Sequence, residues 1–319
     1  MQDKQAVTHR RGFLQLAAAA AVGPPARGRP DRPLKVSIFS KHLQFLEGRR
    51  LARAARELGF DAVDLTVRPG GHVEPERVER ELPPLVELIR AEGLEVEMVT
   101  SGIVDAATPH AEAVLRTLAR LGIRRYRWGG FDYAEDKPIP AQLEALRPRV
   151  ARLAELNRRY QVCAMYHTHS GVGRVGASIW DLYLLLKDFD PDLVGVNYDT
   201  AHATIEGGFG GWVHSLRLVG PMLRGVAVKD FRWARDERGR WRPQWCPLGE
   251  GMVDFPRFFP MLAGLGFRGP LQVHFEYPLG GADTGRRTLS VPESEVFAAI
   301  QRDLERLRGW LGAAGLGSD

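Results

Sequence analysis

From residue 34 onward the chain alternates between two hydrophobic periods. Short runs dense in apolar and β-branched residues predict eight strands: Leu34–Ser40, Ala62–Val67, Leu94–Thr100, Tyr126–Gly129, Val162–His167, Leu193–Asp199, Gly225–Asp230 and Leu271–Glu276. Between them lie longer stretches with helical spacing: Gly48–Leu58, Glu76–Ala91, Ala111–Leu121, Gln142–Tyr160, Ser178–Phe189 and Phe255–Leu265, with Pro292–Leu311 closing the series. Leu51, Ala54, Ala55 and Leu58 show the i, i+3, i+4, i+7 pattern that gives a helix one buried stripe. Gly59, Gly93, Gly122 and Gly266 each follow such a stretch and open the next strand, as helix-ending glycines do.

Strand, helix, glycine, strand, repeated eight times over about 280 residues, predicts a single-domain (β/α)8 barrel, a fold of typically about 250 residues. The rival is a doubly wound open sheet, which would carry a glycine-rich phosphate loop after its first strand. Ser40-Lys41-His42-Leu43 has no such glycines, and no linker-like stretch divides the chain. The predicted barrel runs over residues 34–312, with a loose tail at 313–319.

In a barrel, chemistry gathers at the C-terminal ends of the strands. Those ends carry His72, Thr100, Arg127, His167, His169, Asp199, His202, Lys229, Asp230, His274 and Glu276, which include five of the chain's nine histidines. Side chains alternate along a strand, so His167 and His169 share a face, as do His274 and Glu276. Imidazoles and carboxylates converging from three strands suit a divalent ion such as Mn, Zn, Co or Fe. Taken singly, each histidine is as well explained by a hydrogen-bonded pocket residue. Arg127, Trp128, Tyr133, Phe231 and Trp233 lie at the ends of the fourth and seventh strands, where aromatic faces can stack on a ligand ring or simply form a buried rim.

The net charge of +5 is unevenly placed. Residues 1–33 hold Lys4, Arg10, Arg11, Arg27, Arg29 and Arg32 against Asp3 and Asp31, so four of the five positive charges fall there. The remainder is close to neutral and offers no footprint for nucleic acid. Arg10 and Arg11, the short apolar run from Leu16 to Val22 and the Gly-Pro-Pro-Ala that follows read as a secretory signal, too short to span a bilayer. The Arg-Arg-x-Phe-Leu core resembles a twin-arginine export signal, with Gln15 where that pattern ends in Lys. It implies a periplasmic protein with no stable membrane anchor once the signal is removed. Cys163 and Cys246 form no metal-type pair, and a disulfide between them is left open.

The succession Tyr166-His167-Thr168-His169, Asp199-Thr200-Ala201-His202, Val228-Lys229-Asp230, Leu248-Gly249-Glu250-Gly251 with Asp254-Phe255, and His274-Phe275-Glu276 resembles the xylose-isomerase-like barrel superfamily from about Leu34 to Leu311. That group contains sugar-phosphate isomerases and epimerases, inosose dehydratases and isomerases, ketose 3-epimerases and endonuclease IV. In its epimerase branch Glu, Asp, His and Glu on strands five to eight bind the metal, and the two glutamates shuttle a proton. The resemblance places Asp199 and Glu276 at acid ligand positions and His202 at a substrate-contacting one. It departs at the fifth strand, where His167 replaces Glu, and at the seventh, where Ala227 stands at the ligand position.

The implied enzyme is a divalent-metal-dependent isomerase or epimerase acting on a sugar, keto-sugar or cyclitol through an enediolate. His167, Asp199 and Glu276 hold the ion, while Glu276, His169, Lys229 and His202 carry protons. His72, Arg127, Asp230, His274 and Trp233 contact the carbohydrate substrate. The alternatives are a lyase or dehydratase of the same fold and a non-catalytic periplasmic sugar-binding barrel, the latter prompted by Ala227 and the missing Glu. An endonuclease IV-like reading would need a richer metal set and a basic surface. Assembly into a homo-oligomer is left open.

Overall fold

The computed structural model describes residues 33–317. The elements follow in the order β1 (Val36–Phe39), α1 (Gly48–Glu57), β2 (Ala62–Val67), α2 (Val78–Ala91), β3 (Glu95–Ser101), α3 (Ala111–Arg120), β4 (Arg125–Trp128) and α4 (Ile139–Tyr160). Next come β5 (Cys163–His167), α5 (Trp180–Leu186), β6 (Val194–Asp199), α6 (Thr200–Gly207), α7 (Gly211–Val219), β7 (Leu223–Val228), β8 (Asp230–Arg235) and β9 (Trp241–Cys246). The last are α8 (Phe255–Gly264), β10 (Leu271–Val273) and α9 (Glu293–Ala313). Strands β1 to β7 and β10 form a closed parallel barrel, with β10 hydrogen-bonded between β7 and β1. The eight predicted strands are these eight.

Strand alternation sorts the sequence into two layers. In β6, Val194, Val196 and Tyr198 join the apolar shell between sheet and helices, leaving Gly195, Asn197 and Asp199 for the interior. In β5 the shell takes Ala164 and Tyr166 and leaves Met165 and His167 inside. Around β10 it takes Leu271, Val273 and Phe275 and leaves Gln272, His274 and Glu276. The shell holds the fold, and the lumen is unusually polar. Ser37, Asp64, Thr66, Thr100, Asn197, Asp199, Gln272 and His274 are all buried.

Two features differ from the sequence expectation. The stretch after β7 forms an antiparallel ribbon of β8 and β9, outside the barrel, turning at Asp236–Arg240. Only its barrel end is buried, at Asp230, Phe231 and Cys246, and the exposed, arginine-rich remainder has no apolar alternation for hydrophobic patterning to detect. The expected loose tail at 313–319 is instead ordered through Gly317. Gly315 takes a left-handed φ of 70°, the Leu316 amide donates to the Leu311 carbonyl at 2.8 Å, and the buried Leu316 carbonyl accepts from Leu34. This is the helix-ending motif that glycine permits, and it ties the chain's end to the entry of β1. Cys163 and Cys246 are both buried free thiols. The predicted export signal lies outside the described residues. Among those residues no helix is long and apolar enough to cross a membrane.

Candidate active site

The inward residues at the ends of β5, β6, β7 and β10 converge. One ring nitrogen from each of His167 and His274 and one carboxylate oxygen of Asp199 lie within 4.8 Å of one another, all buried. His167 Nε2 is 3.6 Å from Asp199 Oδ2. Asp199 Oδ1 is occupied, accepting the His202 amide at 2.9 Å and so capping α6, whereas Oδ2 accepts no hydrogen bond. Both nitrogens of His274 are likewise buried without a partner. Leaving buried polar groups without a hydrogen-bond partner is costly, on the order of 1–3 kcal/mol per group. Burial holds both imidazoles well below their ordinary pKa, so they are neutral and offer lone pairs. Asp199 is pushed up to about 6 by burial, against the pull of Lys229.

A different arrangement surrounds Glu276. Its Oε1 accepts from Lys41 Nζ and its Oε2 from Lys229 Nζ, both at 2.9 Å. Burial pushes its carboxyl upward, but Lys229 and Lys41 overcome that and hold it well below the usual range. Lys229 spends its other donors on His202 Nε2 at 2.8 Å and towards Asp199 Oδ2 at 3.3 Å, and it sits 4.4 Å from the centre of the Trp245 ring. His202 Nδ1 pairs with Ser170 Oγ at 2.7 Å. Arg127 Nη2 donates to His169 Nε2 at 3.2 Å, and His169 Nδ1 faces the His167 carbonyl. Burial first, then the neighbouring cations, lower His202 and lower His169 to about 3. A cavity of about 360 Å³ opens beside Glu276, lined also by Trp245, Arg235, Arg242 and Pro243.

The structure thus gathers His167, His169, Asp199, His202, Lys229, His274, Glu276 and Arg127. It redistributes two of them. His274, expected as a substrate contact, stands with the metal-type donors, and Glu276, expected among the ligands, is engaged by two ammonium groups. Period-two alternation allows either residue to face inward, and only the distances separate them.

Three expected substrate contacts lie elsewhere. His72 bonds Thr66 Oγ1 at 3.0 Å and the Leu46 carbonyl at 3.1 Å, so both ring nitrogens serve the turn after β2. Asp230 accepts the amides of Phe231, Gly249, Gly251 and Val253, tying the 249–253 loop down. A side chain at Gly251 would collide with the Asp230 carboxylate and the Phe231 carbonyl. Trp233 is 41% exposed on β8 and packs on Phe231, while Trp245, on β9, is the tryptophan that reaches Lys229.

Sequence reasoning missed Lys41, Arg68 and Asn197. Lys41 and Arg68 directly follow strand ends, so the rule that found the others would have found them. Asn197 Nδ2 lies 3.0 Å from His167 Nδ1, and its amide forms reciprocal bonds of 3.0 and 3.1 Å with Gln272. The space that admits it is Gly225, where a Cβ would meet Asn197 Oδ1 at 2.6 Å. No local motif announces that pairing.

Imidazoles, carboxylates and lysines thus meet at the C-terminal mouth of a closed parallel (β/α)8 barrel. The chain belongs to the xylose isomerase-like TIM barrel family, whose model matches residues 52–300. No curated protein matches it in sequence. Among solved structures it is similar to an L-ribulose 3-epimerase, at TM-score 0.64 and 16% identity, covering 88% of this chain and 95% of that one. It is similar to a D-psicose 3-epimerase from Clostridium cellulolyticum H10, at TM-score 0.63 and 15% identity, covering 89% and 100%. A third similar structure is a xylose isomerase-like TIM barrel protein from Mycobacterium smegmatis in complex with magnesium, at TM-score 0.57 and 18% identity, covering 85% and 97%. Likeness at these identities establishes the fold.

Proposed function

We propose that this chain is a sugar isomerase or epimerase that works at a carbon next to a carbonyl and uses a divalent cation held by His167, Asp199 and His274. Family membership supports the class, as do the epimerase names of its structural neighbours. The observation that carries the reading is the buried cluster of one nitrogen each from His167 and His274 with an Asp199 oxygen, in which Asp199 Oδ2 and His274 have no hydrogen-bond partner, beside an ionised Glu276. Two imidazoles and one carboxylate suit Mn, Zn, Co or Fe better than an all-oxygen ion. When bound there, such a cation polarises adjacent hydroxyl and carbonyl oxygens and acidifies the C–H bond between them.

The chain's own residues move the proton. Glu276 stands at the cavity as the carboxylate acceptor, kept ionised by Lys41 and Lys229. Lys229 Nζ connects Glu276 Oε2 with His202 Nε2, so a proton shifted along this line stays within hydrogen-bond reach at every step. His169, held in place by Arg127, is the candidate on the other flank. Return of the proton to the opposite face of one carbon epimerises the sugar, and return to the neighbouring carbon isomerises it.

Protein supplied with Mn or Zn, incubated with a panel of keto-sugars in heavy water, should incorporate deuterium next to the carbonyl, as read by NMR. Glu276→Gln should abolish the exchange. Absence of exchange for every sugar in the panel would refute the assignment.

One observation favours a second reading. With Ala227 at the seventh-strand position, Lys229 reaches Asp199 Oδ2 itself, as a resident cation would in a metal-free sugar-binding barrel. Sugar-induced thermal stabilisation that is indifferent to chelator would select that alternative. We also propose export through the Arg10-Arg11 motif, which an Arg10→Lys, Arg11→Lys double substitution should block.

A further inference from the structure

Three cations crowd one aromatic ring. Phe39, at the end of β1, lies outside the apolar shell, and its ring centre is 5.5 Å from the Arg68 guanidinium carbon, 5.9 Å from that of Arg127 and 5.5 Å from Lys41 Nζ. The same ring lies 4.7 Å from that of His274, so the cluster abuts the candidate active site. Cation–π attraction to Phe39 offsets only part of the repulsion among three like charges.

Lys41 is satisfied by Glu276, but the two guanidiniums are not. Among the described residues, Arg68 makes no side-chain hydrogen bond or ion pair, and the one side-chain partner of Arg127 is a neutral histidine nitrogen. Glu276 also acts on both but is already held by Lys41 and Lys229, and the larger field on each guanidinium is that of Asp64. It is fully buried, accepts the Thr100 hydroxyl at 2.8 and 3.0 Å, and is pushed up to about 7 by burial, so it supplies only part of a counter-charge. Burial and the charge of Arg68 together bring Arg127 down to about 10. Two guanidiniums on one ring with no carboxylate hydrogen-bonded to either are an unfavourable arrangement that a planar or tetrahedral oxyanion would relieve through forked, charge-assisted hydrogen bonds.

We propose that the site takes a sugar bearing an oxyanion substituent, a carboxylate or a phosphate, seated between Arg68 and Arg127. This rests on reading the mouth as a sugar site and narrows its substrate class to acidic or phosphorylated sugars. The anion end anchors at β2 and β4, which leaves the carbonyl end of the sugar facing His274, Glu276 and Lys229 across the Phe39 ring.

Titration calorimetry on the intact protein tests this with inorganic phosphate, D-glucuronate and D-glucose 6-phosphate as probes and D-glucose as the neutral control. At least one oxyanion probe should bind at least about tenfold tighter than D-glucose, the size of one charge-assisted hydrogen bond. The carboxylate and phosphate arms tell the two sources apart. Arg68→Gln should erase the advantage while leaving the weak binding of D-glucose and the melting temperature unchanged. Arg127→Gln should do the same to the anion, with His169 released besides. If no oxyanion outbinds D-glucose, or if the advantage survives both substitutions, the proposal fails. The readout needs no turnover, so an anion-selective protein that exchanges no carbon-bound proton would count against the proposed activity and not against this subsite.

Discussion

Two carboxylates end neighbouring regions of the same mouth, and they live in opposite conditions. Asp199 is fully buried, has one oxygen capping a helix and one with no hydrogen bond, and faces two neutral imidazoles. Glu276 is partly open to the cavity and has an ammonium group on each oxygen. The first region shares a single ammonium group, Lys229 at 3.3 Å from Asp199 Oδ2, with acceptors to spare, while the second has one hydrogen-bonded to each oxygen. The contrast assigns roles that residue type alone does not. Buried lone pairs without donors suit an ion, and a carboxylate kept charged at the edge of a cavity suits proton transfer.

The largest expected effect comes from Glu276→Gln. Turnover should fall by about a thousandfold, the range of a lost general acid or base, while metal content measured by plasma mass spectrometry stays unchanged. Loss of metal in that variant would erase the contrast and return Glu276 to the ligand set. His274→Gln should do the reverse, weakening metal affinity by at least about a hundredfold in competition with a chromophoric chelator, since an outer-sphere partner alone is worth 10–100-fold. Lys229→Met should lower unfolding free energy by about 3 kcal/mol in denaturant titration, because it strips one partner from a buried ionic cluster. The same change should leave metal affinity equal or higher, as Asp199 Oδ2 is freed of the ammonium 3.3 Å away.

The most gradual effect, spread over several pH units, sharpens the charge balance of the lumen. Asp64 holds its proton up to about pH 7 when folded, against an ordinary value of 3.8. The folded state therefore binds more protons than the unfolded state between those values, and stability falls as pH rises through that window and levels off above it. The slope is at most about 1.4 kcal/mol per pH unit. Asp64→Asn should remove this component, seen as a flatter dependence of the denaturation midpoint on pH from 4 to 7.

The barrel was legible because its strands repeat a local signal: Val194, Val196 and Tyr198 alternate with inward polar positions, and glycines punctuate the helix ends. The site was legible as a set of strand ends and less so in its pairings. That His274 joins His167 and Asp199 while Glu276 turns to Lys41 and Lys229 depends on angstrom-scale differences between strands far apart in sequence. His72 and Asp230 are spent on holding loops, because residues at strand ends also have loops to hold and polar side chains do that as readily as chemistry. The tail was legible after all: Gly315-Leu316 after an apolar helix is a capping signal, and composition alone obscured it.

The central claim is that His167, Asp199 and His274 share one divalent cation from which Glu276 stands apart. Crystals grown with Mn or Zn, recorded at the metal's absorption edge, test it most directly. The account predicts one anomalous peak about 2.0–2.2 Å from a nitrogen of each histidine and from Asp199 Oδ2, with Glu276 still on its lysines. A peak bound by Glu276 without His274, or no peak among the three residues at saturating metal, would contradict it.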